Sequence, residues 1–220
     1  MAGGQPMAMM WIRMPGQSWA GATASFVAMW TVMMVAMMLP SLVPMLHRYR
    51  QAIGDVGARR TGLLTALVAF GYFAVWSALG AVIFPFGALL AGAEQRLPAP
   101  AHMVPIAAGI VVVIAGLAQL TEWKARHVMW DRDALAHVRA MSADVGTALH
   151  HGLCLGVHCT YCCAGLTASL LALGVMDLRV MAVGTAAITA ERLAPNRVRV
   201  ARAVGVMGVG AGLLLIARAV

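Results

Sequence analysis

The chain is poor in charge, and above all in acidic charge. Only 11% of its 220 residues are Asp, Glu, Lys or Arg, and eight acidic residues stand against 16 basic ones. A soluble domain carries about 25% charged residues. This composition therefore excludes a cytosolic enzyme, which needs a polar surface, and a disordered regulator, which needs a high charge density. Four cysteines in a chain of this length also exclude a small disulfide-stabilised secreted domain.

Apolar residues take the place of the missing charge. They make up 61% of the chain, and the mean hydropathy is +0.82. A bilayer core about 30 Å thick needs about 20 apolar residues per helix. Six runs meet or approach that length: Trp19–Leu39, Leu63–Leu90, Val104–Leu120, Leu149–Leu173, Val175–Ala190 and Val200–Ile216. We therefore predict an all-α, polytopic membrane bundle of six transmembrane helices (19–220), preceded by an N-terminal tail (1–18).

The basic residues orient this bundle. Twelve of the 16 lie in or at the edges of the loops between runs 1 and 2, 3 and 4, and 5 and 6. The positive-inside rule predicts that these loops face the cytoplasm of a bacterial inner membrane and that both termini face outward. The net charge of +8 needs no nucleic-acid partner, because the chain offers no continuous basic face. The expected partner is the lipid bilayer, and a membrane-protein partner or a homo-oligomer stays open.

The loop between the third and fourth runs is the only long one, covering residues 121–148. Its Trp123, His127 and Trp130 recur at a helical interval, with charged residues between them. This pattern predicts an amphipathic helix at the cytoplasmic interface of the membrane, where Trp rings settle. A small cytosolic cap over the bundle is the alternative.

The fourth run contains every cysteine of the chain within ten residues: Cys154, Cys159, Cys162 and Cys163. Residues three and four apart are neighbours on a helix. The spacing therefore predicts two adjacent rows, one of His151, Cys154, His158 and Cys162, the other of Cys159 and Cys163. An ionisable side chain inside a membrane span indicates a functional site, and thiol and imidazole groups together are typical of a metal site.

The donor types indicate which metal. Thiolate and thioether sulfurs select Cu(I), whereas mixed Cys and His sets also suit Zn(II). Met37 and Met38 lie in the same half of the membrane as the cysteines and could complete a soft site. The sequence favours Cu(I) over Zn(II), in a protein that holds or hands on the metal rather than catalysing a reaction. The predicted ligands are Cys159, Cys162, Cys163, His158, Cys154, His151, Met37 and Met38.

Two other interpretations stay open. Cys159 and Cys162 form a CxxC pattern, which is typical of thiol–disulfide oxidoreductases, although the charge rule places them on the reducing side of the membrane. The cysteines could instead be small packing residues in a structural or accessory subunit of a membrane complex.

Other polar and aromatic residues fit structural roles. Asp177 is placed to cap the fifth helix, and Glu191 is placed to form a surface ion pair with Arg192. Tyr72 and Trp76 fit a packing role. A close-packing face is predicted on the last helix from its glycines: Gly205, Gly208, Gly210 and Gly212.

Several short runs together resemble a known family. They are Ala36-Met37-Met38-Leu39-Pro40, Gly71-Tyr72 with Trp76, Ala115-Gly116-Leu117-Ala118-Gln119-Leu120-Thr121 with Lys124, His151-Gly152 with Cys159 and Cys162-Cys163, Gly174-Val175-Met176 and Glu191-Arg192-Leu193. In this order they resemble a bacterial family of predicted metal-binding integral membrane proteins, known as domain of unknown function 2182. The resemblance implies a helical membrane protein with a metal at the cysteine motif and no established reaction.

The chain departs from the family pattern in two places. After Lys124 the family typically has a Cys-rich stretch, where this chain has His127, Trp130 and Asp131. His127 and Asp131 either replace the ligands of a second site or mark its absence. Ala164 replaces the Trp that follows the double cysteine in the family.

Overall fold

The computed structural model describes Trp11 and residues 16–54, 56–96, 103–126, 143–174 and 177–219. These residues form six long helices and contain no strand: α1 (Trp19–Ala52), α2 (Ala58–Arg96), α3 (Met103–Gln119), α4 (Val145–Leu173), α5 (Leu178–Leu193) and α6 (Arg197–Ala219). Each predicted apolar run overlaps one of them, so the all-α class is confirmed for this part of the chain. Residues 122–126 are also helical. The rest of the predicted interfacial helix, from residue 127 to 142, lies outside the described residues.

The ends of the helices follow local sequence signals. Ser18, Asp144 and Asp177 cap α1, α4 and α5, and each accepts a backbone N–H from the first turn through its side-chain oxygen. The predicted capping role of Asp177 is therefore confirmed. Gly174 ends α4 with a φ of 111°, which lies in the region that favours glycine.

Helix α1 is longer than the apolar pattern predicts. We expected an end near Leu39, but the helix continues through Pro40 and Pro44 to Ala52. A proline removes one backbone donor and so leaves the carbonyl four residues earlier, here those of Ala36 and Pro40, without its usual helical partner. Apolar helices tolerate this loss where neighbouring helices pack around them. Between the two prolines, the Ser41 hydroxyl donates to the carbonyl of Met38 at 2.9 Å. The longer α1 carries its polar last turns beyond the apolar segment.

Four helices are long and apolar enough to cross a membrane: α1, α2, α4 and α6. Helix α3 is apolar but has only 17 residues, and α5 has 16. The fold is thus compatible with a membrane protein, and the number of spans stays a prediction.

The six helices pack as a ring. In order around it stand α1, α2, α4, α3, α6 and α5, which returns to α1, and α4 also packs against α5. Helix α4, which carries the cysteines, therefore packs mainly against three other helices, α2, α3 and α5. The largest buried cluster lies where α1, α2, α4 and α5 meet, and it is rich in aromatic rings and sulfur: Trp30, Met34, Met37, Met38, Tyr72, Trp76, Cys159 and Cys163.

Glycines close the other side of the ring, between α3 and α6. A Cβ atom on Gly116 would lie 2.7 Å from the Val209 nitrogen and 2.8 Å from the Gly205 oxygen, so only glycine allows this approach. Gly109 and Gly212 form a similar contact nearer the other end. We call these four residues the glycine seam. The predicted close-packing face is therefore correct for Gly205 and Gly212, whereas Gly210 is wrong because it faces open space.

Candidate metal centre

Cys159 and Cys163 form a buried pair of thiols, which we call the inner pair. They lie one turn apart on α4, their Sγ atoms are 3.8 Å apart, and their residues are 0% and 2% exposed. Two thiolates bound to one metal at about 2.3 Å and a tetrahedral angle would have sulfurs about 3.8 Å apart. The helix alone thus brings two soft donors to a spacing at which they can share an ion.

Tyr72 on α2 contacts this pair. Its hydroxyl donates to the Sγ atom of Cys159 at 2.9 Å, and the residue is fully buried. Predicting Tyr72 as a packing aromatic captured its burial but missed this hydrogen bond. The sequence gives no signal for it, because the two residues lie 87 positions apart.

Met37 and Met38 belong to the same buried cluster as the inner pair. They are 2% and 0% exposed on α1. The last turn before Pro40 thus points two thioethers into the interior. The structure therefore places the predicted methionines and the inner pair in one sulfur-rich core.

His158 and Cys162 form a second pair beside the inner pair on α4. The His158 Nε2 and Cys162 Sγ atoms are 3.4 Å apart. His158 is buried and Cys162 is partly buried. A polarisable nitrogen and sulfur in contact can also bind a soft or borderline cation.

The other two predicted ligands lie apart from these pairs. Cys154 is exposed and contacts His150, with its Sγ 3.7 Å from the His150 Nε2. His151 stacks on Tyr49 of α1, with ring centroids 5.6 Å apart and an interplanar angle of 16°. His150 was not among the predicted ligands, although its position four residues before Cys154 indicated that the two side chains are neighbours on the helix.

The predicted ligands are thus organised as pairs. Among the residues with described positions, no three His, Cys, Asp or Glu side chains are grouped so as to hold one metal ion. All four cysteines lie in the described part of the chain, and none of them forms a disulfide. The contact of Cys159 is with Cys163, whereas the CxxC pattern had suggested Cys162. His127, Trp130 and Asp131 lie outside the described residues.

A buried network of charged and polar side chains contacts the backbone of Cys162. The Lys124 Nζ is 2.9 Å from Glu191 Oε2, and the Gln119 Nε2 donates to Glu191 Oε1 at 2.7 Å. Lys124 also donates to the backbone carbonyl of Cys162. Lys124 is 2% exposed and Glu191 4%, and such buried charges require partners.

This network corrects one prediction. The surface ion pair expected between Glu191 and Arg192 is wrong, because both residues are buried and Glu191 pairs with Lys124. Helix α5 turns the carboxylate inward, toward α3. The available signal was the family resemblance, since its Gln-Leu-Thr-x-x-Lys and Glu-Arg-Leu runs contain these residues.

Arg192 adds a second buried cation. Its Nη1 donates to the Met45 sulfur at 3.4 Å, and Met45 packs against the buried cluster that contains the inner pair. A cation near a thiol favours the thiolate form that binds metals.

Comparison with known protein families gives one match. Residues 27–215 match the model of a family described as PpoB2, a copper chaperone. No curated protein and no solved structure matches the chain. The match supports a copper-related family, as the donor types predicted, and the name domain of unknown function 2182 stays untested. The matched span contains all eight predicted ligands.

Proposed function

This chain belongs to the PpoB2 copper chaperone family, and from that premise we propose that it is a membrane protein that holds Cu(I) at the inner pair and hands it on. Copper is the cargo in this proposal. The observation that carries the proposal is the buried pair of Sγ atoms at 3.8 Å, in one core with Met37 and Met38.

The donor set fits a soft ion. Two thiols and two thioethers offer only sulfur, which favours Cu(I) over Mg²⁺, Ca²⁺ and Mn²⁺ and, through the thioethers, over Zn²⁺. His158 and Cys162 supply a neighbouring mixed pair, to which the ion can move without leaving α4.

Charge balance supports the same site. Two thiolates around Cu(I) leave one net negative charge, which is costly in a low-dielectric interior. Arg192 is buried beside the same core, where it contacts the Met45 sulfur, and the hydroxyl of Tyr72 donates to Cys159. Both groups therefore lower the cost of the loaded state.

The four long apolar helices support a location in a membrane. The loop charges favour the bacterial inner membrane with both termini on the outer side. In that orientation, the end of α4 that carries His150 and His151 faces the cytoplasm.

Copper binding by the detergent-purified protein tests the proposal. We expect near-stoichiometric Cu(I) when the protein is titrated against a chromogenic Cu(I) chelator. The double variant Cys159→Ser/Cys163→Ser should lose at least about 100-fold in affinity, since even outer-shell substitutions cost about 10–100-fold. Cys154→Ser is the matched control, because it removes the exposed thiol of the same helix and should keep the equilibrium affinity.

A second arm tests the choice of metal. Met37→Leu/Met38→Leu removes two thioethers while keeping their volume, so it should weaken Cu(I) binding and leave Zn(II) binding unchanged. Met207→Leu, at an exposed position of α6, is the control and should change neither. Equal losses for both metals would contradict a thioether role.

Other outcomes point to the other two function classes. A wild-type protein without affinity for copper, but with a Cys159–Cys162 disulfide whose fraction changes with growth conditions, would indicate an oxidoreductase. A protein without either property would indicate an accessory subunit. Both results would overturn the copper proposal.

A further inference from the structure

Helix α4 carries a row of alternating imidazole and thiol groups. The row consists of His150, Cys154, His158 and Cys162, each four residues after the last. Four residues advance a helix by about 6 Å, and the side chains stay on nearly the same face. The row therefore runs about 18 Å along the helix.

The row contains two contacts, each between an imidazole and a thiol. His150 contacts Cys154 at 3.7 Å between Nε2 and Sγ, and His158 contacts Cys162 at 3.4 Å between the same atom types. The row is thus two like pairs in succession. The second pair lies beside the inner pair, because Cys162 comes three residues after Cys159, which is a neighbouring position on the helix surface.

Burial changes along the row. His150 and Cys154 are exposed, His158 is buried, and Cys162 is partly buried. The inner pair beyond them is completely enclosed. A soft ion that moved along these pairs would therefore pass from an accessible site to a closed one.

The exposed pair lies at one end of the bundle. There, Tyr49 near the end of α1 stacks on His151, and Arg60 at the start of α2 donates to the Ala143 carbonyl at 2.9 Å. Helix α4 has 29 residues, about nine more than a bilayer core requires. The last residues of α4 are apolar, and its first turns are polar. The additional residues therefore extend beyond the bilayer core at the end that carries His150.

We propose that His150 and Cys154 form a receiving pair, which binds incoming Cu(I) and passes it through His158 and Cys162 to the inner pair. This inference rests on the proposed function. At each step the ion gains one ligand as it loses another, and its oxidation state does not change. When Cys154 binds the ion, its thiol proton passes to the solvent that the exposed pair contacts. When Cys162 replaces Cys154, the proton of Cys162 moves to the Cys154 thiolate. On entry to the inner pair, the protons of Cys159 and Cys163 move to the Cys162 thiolate and the His158 imidazole that the ion leaves.

The rate of loading tests the receiving pair. The purified, metal-free protein is mixed in a stopped-flow instrument with a chromogenic Cu(I) chelate as donor, and release of the chelator is followed. His150→Ala/Cys154→Ser should load at least about tenfold more slowly, which is within the range by which association rates vary among variants of one site. The final occupancy should equal that of the wild type.

Two further variants sharpen this test. His47→Ala removes an imidazole from the same end of the bundle, where it contacts Gln51 rather than the row, so it should load at the wild-type rate. Cys154→Met, which keeps a soft donor, should load faster than Cys154→Ser. Gel filtration and circular dichroism check that each variant is folded.

Each result decides the question. Wild-type loading by the double variant would overturn the receiving pair, and a lower final occupancy would also overturn it, because the pair would then belong to the holding site. Failure of the wild type to bind copper at all would instead overturn the proposed function, so the two failures are distinguishable.

Discussion

In the α3–α6 contact, helix backbones meet directly, because glycines at the closest points have no side chain to keep them apart. In the core between α1, α2, α4 and α5, the helices are held apart by indole rings, a phenol, thioethers and thiols. Both regions are buried and both are packed. The glycine seam has no group that could bind a ligand, whereas the sulfur-rich core contains Met37, Met38 and the inner pair, with Cys162 packed against it. Close packing alone therefore does not require the cysteines and methionines.

The Lys124–Glu191 network joins the two regions. It contacts α3 through Gln119, α5 through Glu191 and α4 through the carbonyl of Cys162. The largest stability effect is expected there. Lys124→Met leaves a buried carboxylate uncompensated and should lower the free energy of unfolding by about 3–5 kcal/mol. Thermal unfolding in detergent, followed by circular dichroism, measures the loss.

A double variant is the control for this loss. Lys124→Met/Glu191→Gln removes both charges and should recover much of the stability, because the cost arises from the unpaired charge. A double variant as unstable as Lys124→Met would mean that the ion pair is not the cause.

A substitution in the glycine seam should have a smaller effect on stability. Gly116→Ala places a Cβ atom against the backbone of Val209 and Gly205, and we expect a loss of about 1–3 kcal/mol in the free energy of unfolding. The Cu(I) affinity of the folded protein should not change. Gly210→Ala, which meets open space on α6, is the matched control and should keep the stability. A change in the copper affinity of Gly116→Ala would contradict the conclusion that the glycine seam serves packing and the sulfur-rich core serves metal binding.

The smallest effect on the free energy of unfolding is expected inside the sulfur-rich core. Tyr72→Phe removes only the hydroxyl that donates to Cys159. Copper affinity should fall by about tenfold, as for other outer-shell partners of metal ligands, while the free energy of unfolding changes by about 1 kcal/mol or less. Tyr161→Phe, at an exposed position on α4, should leave both quantities unchanged. Equal affinities for the two variants would exclude a role for the Tyr72 hydroxyl.

The predictions from sequence succeeded where a single helix decides the answer. The pairs Cys159–Cys163 and His158–Cys162 follow from a spacing of four residues, and the cap at Asp177 follows from its place before an apolar run. The stacking of the His151 ring on Tyr49 was not predicted, because it joins two different helices. The end of α1 was predicted too early, because an apolar helix that packs against neighbouring helices can continue past prolines.

The amino-acid sequence by itself determined that this protein is helical and apolar enough for a membrane, and that its thiols lie in rows on one helix. Composition, the length of apolar runs and an interval of four residues depend only on the order of residues along the chain, so they can be recognised without knowing which helices pack together. The tertiary structure alone decided that Tyr72 donates to Cys159 and that Lys124 pairs with Glu191. Those contacts depend on which faces of which helices meet, and that choice minimises the number of unpaired polar groups in the whole bundle at once.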